Sequence, residues 1–285
     1  MSEAIAFEAW RYSSGGLDLY ARDYPGEGPP LLLMHGLTRN SADFEPLAAH
    51  LAGRFRLIVP DQRGRGLSSY DPDPANYRPD VYAADMFALL GSLAIPRAGL
   101  IGTSMGGLMA FVMAAVRPDL VSAIVLNDVG PYIEPAGLAR IGGYVGQDTP
   151  ISDWDDAASR CASINAEAFP DFTRADWHQF ARRTCRQRDD GTIIFAYDPA
   201  IASGLQTTAV PPDIWPLWDA LAQVPVLLLR GEHSDVLSPA TATAMAQRHS
   251  GVFAFAEVPG RGHAPLLDEP AALVAIDAFL AAQYG

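Results

Sequence analysis

The stretch Gly102-Thr103-Ser104-Met105-Gly106-Gly107 places the tightest constraint on this chain. An apolar run, Ala98 to Ile101, precedes it and a helix-forming run, Leu108 to Val116, follows, so the order is strand, sharp turn, helix. A strand that turns straight into a helix forces its turn residue into a strained backbone conformation. Side chains at positions 102 and 106 would strike the neighbouring strand and helix, and glycine at both removes the clash. The N–H groups that open the helix point at any charge developing beside Ser104, and the helix dipole adds to their pull. The stretch reads as a device for presenting one serine hydroxyl in a reactive place.

The segments around it extend the pattern. Ala9–Tyr12 and Leu17–Tyr24 flank Ser13-Ser14-Gly15-Gly16 as an antiparallel hairpin. Leu31–Met34, Leu57–Val59, Gly99–Ile101, Ala123–Leu126 and Val226–Leu229 are short apolar runs without alternation, which suits strands buried on both faces. Helical spacing falls between them, over Ser41–Ala52, Asp80–Leu93 and Leu108–Val116. A helix over Ala240–Gln247, a strand over Val252–Val258 and a helix over Pro270–Ala282 complete the chain. Strands alternating with helices this regularly predict an α/β fold, a mostly parallel sheet covered by helices on both faces.

The alternation breaks between Tyr132 and Gln223, where apolar residues keep helical spacing, as in Trp154–Ala168 and Ala175–Arg186. Thr173 with Asp176 is a capping pair for the second of these. The sequence thus divides into a core, 1–131 with 224–285, and an inserted helical cap, 132–223.

Composition narrows the chemistry. None of the 20 basic residues is a lysine, which excludes Schiff-base chemistry, lysine-bound pyridoxal phosphate and a P-loop. A net charge of -13 offers no basic stripe for nucleic acid. The two cysteines, Cys161 and Cys185, sit in no metal or redox spacing, so neither a metal site nor a disulfide framework is expected. No apolar run approaches the ~20 residues that span a bilayer, and the start Met1-Ser2-Glu3 has no leader pattern, so a cytoplasmic protein without a membrane partner is expected. The composition, 49% hydrophobic and 19% charged, is that of an ordinary globular chain large enough to bury a core.

A serine hydroxyl needs a base to take its proton, and the base needs a third group to fix its tautomer and stabilise its cation. His263, in Pro259-Gly260-Arg261-Gly262-His263-Ala264-Pro265, lies just beyond a strand, while His50, His178 and His249 fall in helical stretches with no partner motif. Two carboxylates follow sheet strands: Asp235, in Gly231-Glu232-His233-Ser234-Asp235, and Asp128, after Asn127.

Taken in order, His35-Gly36, Asp61-Gln62-Arg63-Gly64-Arg65-Gly66, the Ser104 turn, Asp235 and Gly262-His263 resemble the α/β-hydrolase superfamily over the whole chain outside the cap. The resemblance implies Ser104 as nucleophile, His263 as base and Asp235 as acid, with Asp128 in a position that some members use instead. It also implies an oxyanion hole from the backbone N–H groups of Leu37 and Met105, with His35, Asp61 and Arg63 shaping the loops rather than reacting. No cofactor is implied.

Family members that use an aspartate nucleophile are not favoured, because Ser104 stands where they carry it. Carbon-carbon bond hydrolases of aromatic ring cleavage are similar through Ser104-Met105-Gly106-Gly107, but they carry asparagine and tryptophan where this chain has Thr103 and Ala264. The expectation is therefore a serine hydrolase acting on a carboxylic ester or lactone of a small, largely apolar substrate. Carbon-carbon hydrolysis is the alternative, and a non-catalytic ligand receptor of the same fold is the reading from another class. In the cap, Trp154, Trp177 and Trp215 are candidates for the substrate pocket, and Arg182, Arg183, Arg186 and Arg188 for a carboxylate site or, more simply, a solvated helix face.

Overall fold

The computed structural model describes residues 5–147, 149–203 and 214–285. Its organising element is an eight-stranded sheet. The hairpin β1 (Glu8–Ser14) and β2 (Leu17–Tyr24) leads into β3 (Gly26–Met34). A 3-10 turn at Ser41–Phe44 and helix α1 (Glu45–Leu51) follow, and β4 (Gly53–Asp61) returns to the sheet. Then come α2 (Pro79–Ser92), β5 (Ala98–Thr103), α3 (Met105–Val116) and β6 (Val121–Asn127).

Between β6 and the next sheet strand lie α4 (Pro135–Tyr144), α5 (Trp154–Asn165), α6 (Arg174–Thr184), the short strands β7 (Cys185–Gln187) and β8 (Ile193–Phe195), and α7 (Trp215–Asp219). The sheet is completed by β9 (Val226–Gly231), α8 (Pro239–Arg248), β10 (Phe253–Val258) and α9 (Pro270–Tyr284). The strand order is β1-β2-β4-β3-β5-β6-β9-β10. Every pairing is parallel except β1 with β2 and β2 with β4.

The unalternating apolar runs follow from burial on both faces. Leu32, Met34, Ile58, Leu100, Ile124 and Leu228 pack into one core with α2, α3 and α8. Their neighbours Leu31, Leu33, Val59, Ile101, Val125 and Leu229 pack into a second core with α1 and α9. Successive side chains of a strand point to opposite faces, so each strand must be apolar at every position to serve both.

The segment between β6 and β9 has a core of its own, built from Phe169, Trp177, Phe180, Ala157 and Ala181. Thr173 and Asp176 form the expected capping box at α6. The stretch is not wholly helical: β7 and β8 pair as a small antiparallel hairpin around Gly191, whose φ is +87°. Ile193-Ile194-Phe195 is too short a run to announce a strand by periodicity, and the Asp190-Gly191 turn selects the hairpin. Residues 148 and 204–213 of this stretch lie outside those described. Among the described residues no helix is long and apolar enough to cross a membrane.

Candidate active site

Ser104 caps the N-terminus of α3 with φ +52° and ψ −113°. A non-glycine residue is rarely held there, and it persists because the surroundings fix it. Its N–H donates to the Asn127 carbonyl at 3.0 Å, and its carbonyl accepts from the Gly107 N–H at 2.9 Å. A Cβ on Gly106 would lie 2.0 Å from the Met34 carbonyl oxygen, and one on Gly102 would lie 2.5 Å from the Gly106 carbonyl carbon. Only glycine lets β5 and β3 pack this tightly under the first turn of α3.

His263 Nε2 lies 2.8 Å from Ser104 Oγ, and its Nδ1 lies 2.7 Å from Asp128 Oδ2. A carboxylate only accepts, so Nδ1 carries the proton and Nε2 is left to accept from the serine hydroxyl. The expected pairing of Asp235 with His263 is corrected here. Asp235 instead accepts two hydrogen bonds from Arg140 on α4, at 2.6 and 2.8 Å. Its partial burial pushes the carboxyl pKa up, but the Arg140 hydrogen bonds and charge outweigh that and hold it below the usual range.

Asp128 stands directly after β6, fully buried, at φ +57°. A short polar side chain tolerates this left-handed backbone better than most. Its carboxylate also accepts from the Gly231 N–H at 2.9 Å and the Ser234 hydroxyl at 2.7 Å. The loop after β9 thus holds the Asp128 carboxylate in place.

The loop after β3 is shaped by His35, fully buried. Its Nδ1 donates to the Gly36 carbonyl at 2.7 Å and its Nε2 accepts from the Gln62 N–H at 3.1 Å. Burial, opposed by the Gly36 hydrogen bond and reinforced by the charges of Arg65 and Arg39, lowers the His35 pKa to about 3. This neutral ring joins the ends of β3 and β4. The Leu37 carbonyl accepts from Arg65 Nε at 2.9 Å. Met105 opens α3, so its N–H has no intrahelical acceptor.

Further along the loop, Asn40 Nδ2 donates to the Arg183 carbonyl at 2.8 Å, and the Arg39 guanidinium lies 4.0 Å from the Phe180 ring. These contacts fasten the loop to α6. Asp61 accepts the N–H groups of Ser41 and Leu67, and Arg63 is paired with Asp71 and Asp85, so both hold loops in place.

Ser104 and His263 border a cavity of about 350 Å³ with largely apolar walls, among them Leu108, Phe111, Val129, Ile141 and Phe180. It opens at the carboxyl ends of the sheet strands, where α/β sheets bind ligands. The three candidate tryptophans do not border it. Trp177 packs against Phe169, Phe172 and Phe180 within the cap, Trp154 lies under the Arg182 guanidinium, and Trp215 under that of Arg248. Trp177 is taken up by the core of the segment between β6 and β9, while Trp215 packs against the sheet's core. Arg182, Arg183, Arg186 and Arg188 also stand off the cavity wall, Arg186 reaching the Gly66 carbonyl and the Tyr70 hydroxyl.

Two residues that sequence reasoning passed over complete the arrangement. Ser234 holds Asp128. Asn127, fully buried, donates from Nδ2 to Thr103 Oγ1 at 3.0 Å and to the Pro265 carbonyl at 2.8 Å. It therefore touches the segments carrying Ser104 and His263 while preceding Asp128 in the chain. The available signal was the pair Asn127-Asp128 closing an apolar strand, but its value rests on β6 lying beside β5, which only topology reveals.

The sequence matches the α/β hydrolase fold family over residues 29–270. It is 32% identical to the 3-hydroxybutyrate-oligomer hydrolase of Cupriavidus necator, over 87% of this chain and 86% of that one. It is 33% identical to the 2-(acetamidomethylene)succinate hydrolase of Mesorhizobium japonicum, over 90% and 89%. The crystal structure of an α/β hydrolase from Novosphingobium aromaticivorans superposes with a TM-score of 0.90 at 44% identity, covering 96% of this chain and 98% of that one. The chain belongs to the α/β-hydrolase fold family, and these relatives are hydrolases.

Proposed function

We propose that this protein is a serine hydrolase that cleaves a carboxylic ester or lactone of a small, largely apolar substrate through an acyl-enzyme on Ser104. The observation that carries the reading is the continuous chain of hydrogen bonds from Ser104 through His263 to Asp128 at the wall of an apolar cavity. His263 takes the serine proton as Oγ attacks the carbonyl carbon, and Asp128 stabilises the imidazolium that results. The tetrahedral oxyanion is received by the N–H groups of Leu37 and Met105, each worth roughly 3 to 4 kcal/mol. The alkoxide departs with the proton from His263, and water, activated by the same ring, releases the acid.

Residues 132–223 act as the cap that closes the cavity over the core formed by 1–131 and 224–285. An ester is favoured over a carbon-carbon bond because an alkoxide leaves with one proton, whereas a carbanion needs further polar groups beside the triad. Thr103 is engaged by Asn127, and Ala264 on the cavity wall offers neither donor nor π face. A relative named for 3-hydroxybutyrate oligomers is compatible with ester chemistry.

Fluorophosphonate labelling and p-nitrophenyl ester turnover test the reading. Ser104→Ala should abolish labelling and lower turnover about a millionfold. Labelling retained by that variant, or a preference above about 100-fold for a vinylogous 1,5-diketone over aryl esters, would overturn it.

A further inference from the structure

Two arginines in the Asp61–Gly66 stretch are treated differently by the fold. Arg63 is buried but neutralised by Asp71 and Asp85. Arg65 is 0% exposed, and among the described residues it forms no ion pair. Among the described residues its guanidinium is met only by neutral groups: Nη1 donates to the Arg63 carbonyl at 2.7 Å and to the Tyr82 hydroxyl at 2.9 Å, with the Tyr82 and Tyr77 rings 4.8 and 5.5 Å away. The two remaining contacts are Nε to the Leu37 carbonyl at 2.9 Å and Nη2 to Met105 Sδ at 3.7 Å.

An unpaired buried cation is costly, and a fold that wanted only a rigid tie could have used a neutral side chain or a carboxylate partner. The contacts indicate what the charge is for. Leu37 and Met105 come from different elements, the loop after β3 and the start of α3, and Arg65 touches both, at the Leu37 carbonyl oxygen and the Met105 side-chain sulfur.

From this we infer that Arg65 is a positioning residue whose fixed positive charge is held in reserve for the oxyanion that forms between the Leu37 and Met105 N–H groups. The inference rests on the serine-hydrolase reading above. The charge has no anion among the described residues and gains one as the tetrahedral intermediate forms, so its stabilisation falls on the transition state rather than on bound ester. Its burial keeps water from screening the interaction. The Nε bond to the Leu37 carbonyl also fixes the orientation of the loop that donates the first N–H.

The test compares the wild type with Arg65→Met, Arg65→Lys and Ser104→Ala on three readouts. These are kcat and KM for p-nitrophenyl butyrate, the Ki of phenylboronic acid, which adds the Ser104 oxygen and becomes a tetrahedral anion, and the Ki of uncharged butyranilide. Removing one oxyanion donor typically costs 10²- to 10³-fold, so a charge one shell behind should cost about 10- to 100-fold. Arg65→Met should lose that much in kcat and in boronate affinity, with KM and butyranilide binding within about threefold. Arg65→Lys, which keeps the charge without the fork, should stay within about fivefold of wild type on kcat and boronate even if it melts lower.

A folded Met variant with unchanged boronate affinity, or one that loses boronate and butyranilide equally, overturns the inference. So does a Lys variant impaired a hundredfold, and this arm decides the matter if the Met variant does not fold. Boronate binding that is absent in the wild type, or unaffected by Ser104→Ala, would instead overturn the nucleophile assignment and Arg65's role with it.

Discussion

Asp128 Oδ2 lies 2.7 Å from His263 Nδ1, although the two residues are 135 positions apart in the chain. Asp128 follows β6 at once, and β6 lies between β5, which carries Ser104, and β9. The later carboxylate, Asp235, is set beyond the end of β9 at Gly231, far enough out to meet Arg140 on α4. One position serves the histidine, the other ties α4 to the loop after β9.

The exchange of roles has a direct kinetic consequence. Asp128→Asn should lower kcat on the order of 10⁴-fold, because the amide can no longer hold the His263 tautomer that accepts from Ser104. Asp235→Asn should stay within about tenfold of wild type. Steady-state turnover of one aryl ester by both variants checks this, and the reverse ranking would return the acid to Asp235.

Ser234 should affect turnover through Asp128. Its hydroxyl donates to the carboxylate at 2.7 Å and accepts from the Leu237 N–H at 3.0 Å. Ser234→Ala removes a charge-assisted hydrogen bond, worth about 1.5 to 3 kcal/mol. The expected result is a fall in kcat of about tenfold, KM nearly unchanged, and a lower melting temperature. A variant with wild-type kcat would mean that the Gly231 N–H suffices to orient the acid.

The fold was legible because apolar strands buried on both faces and the glycines at 102 and 106 leave few alternatives. That Ser104 and His263 could meet was legible for a related reason: each sits in a glycine-bearing loop after a strand. The acid was not, since both Asp128 and Asp235 follow strands and only the order β5-β6-β9 shows which one His263 can reach. The three tryptophans misled because a ring's spacing on a helix says which face it occupies, not whether that face meets the cavity. Arg65 carried no sequence signal beyond its motif, because an unpaired cation looks the same in one dimension as a paired one.

Asn127 should prove necessary for holding the segments of Ser104, Asp128 and His263 together. Its Nδ2 donates to both Thr103 and Pro265, so Asn127→Asp, which keeps the shape but loses both donors, tests the amide specifically. Loss of two buried hydrogen bonds predicts destabilisation of about 2 kcal/mol or more. Turnover should fall at least tenfold, while the Leu37 loop, which Asn127 does not touch, keeps its geometry. Urea melts with parallel ester kinetics would show this. Full activity in Asn127→Asp would contradict it.

The last prediction concerns acid stability and follows from His35. Its pKa is lowered to about 3 in the folded chain, from an ordinary value near 6.5 once unfolded. Between these values the unfolded chain binds the extra proton and the folded chain does not, so stability must rise with pH across the window and be lost as pH falls through it. At 1.36 kcal/mol per pKa unit, His35 alone should remove about 2 kcal/mol of stability between pH 7 and pH 5. The carboxylates contribute their own slope, so the comparison must be with a variant. Replacing the ring in His35→Asn, whose amide can still donate to the Gly36 carbonyl, should flatten the urea-derived stability profile over that interval by this amount, even if the variant is less stable at pH 7. Parallel profiles for the two proteins would show that the ring takes up a proton in the folded state, and would remove it as the neutral strut beneath the Leu37 loop.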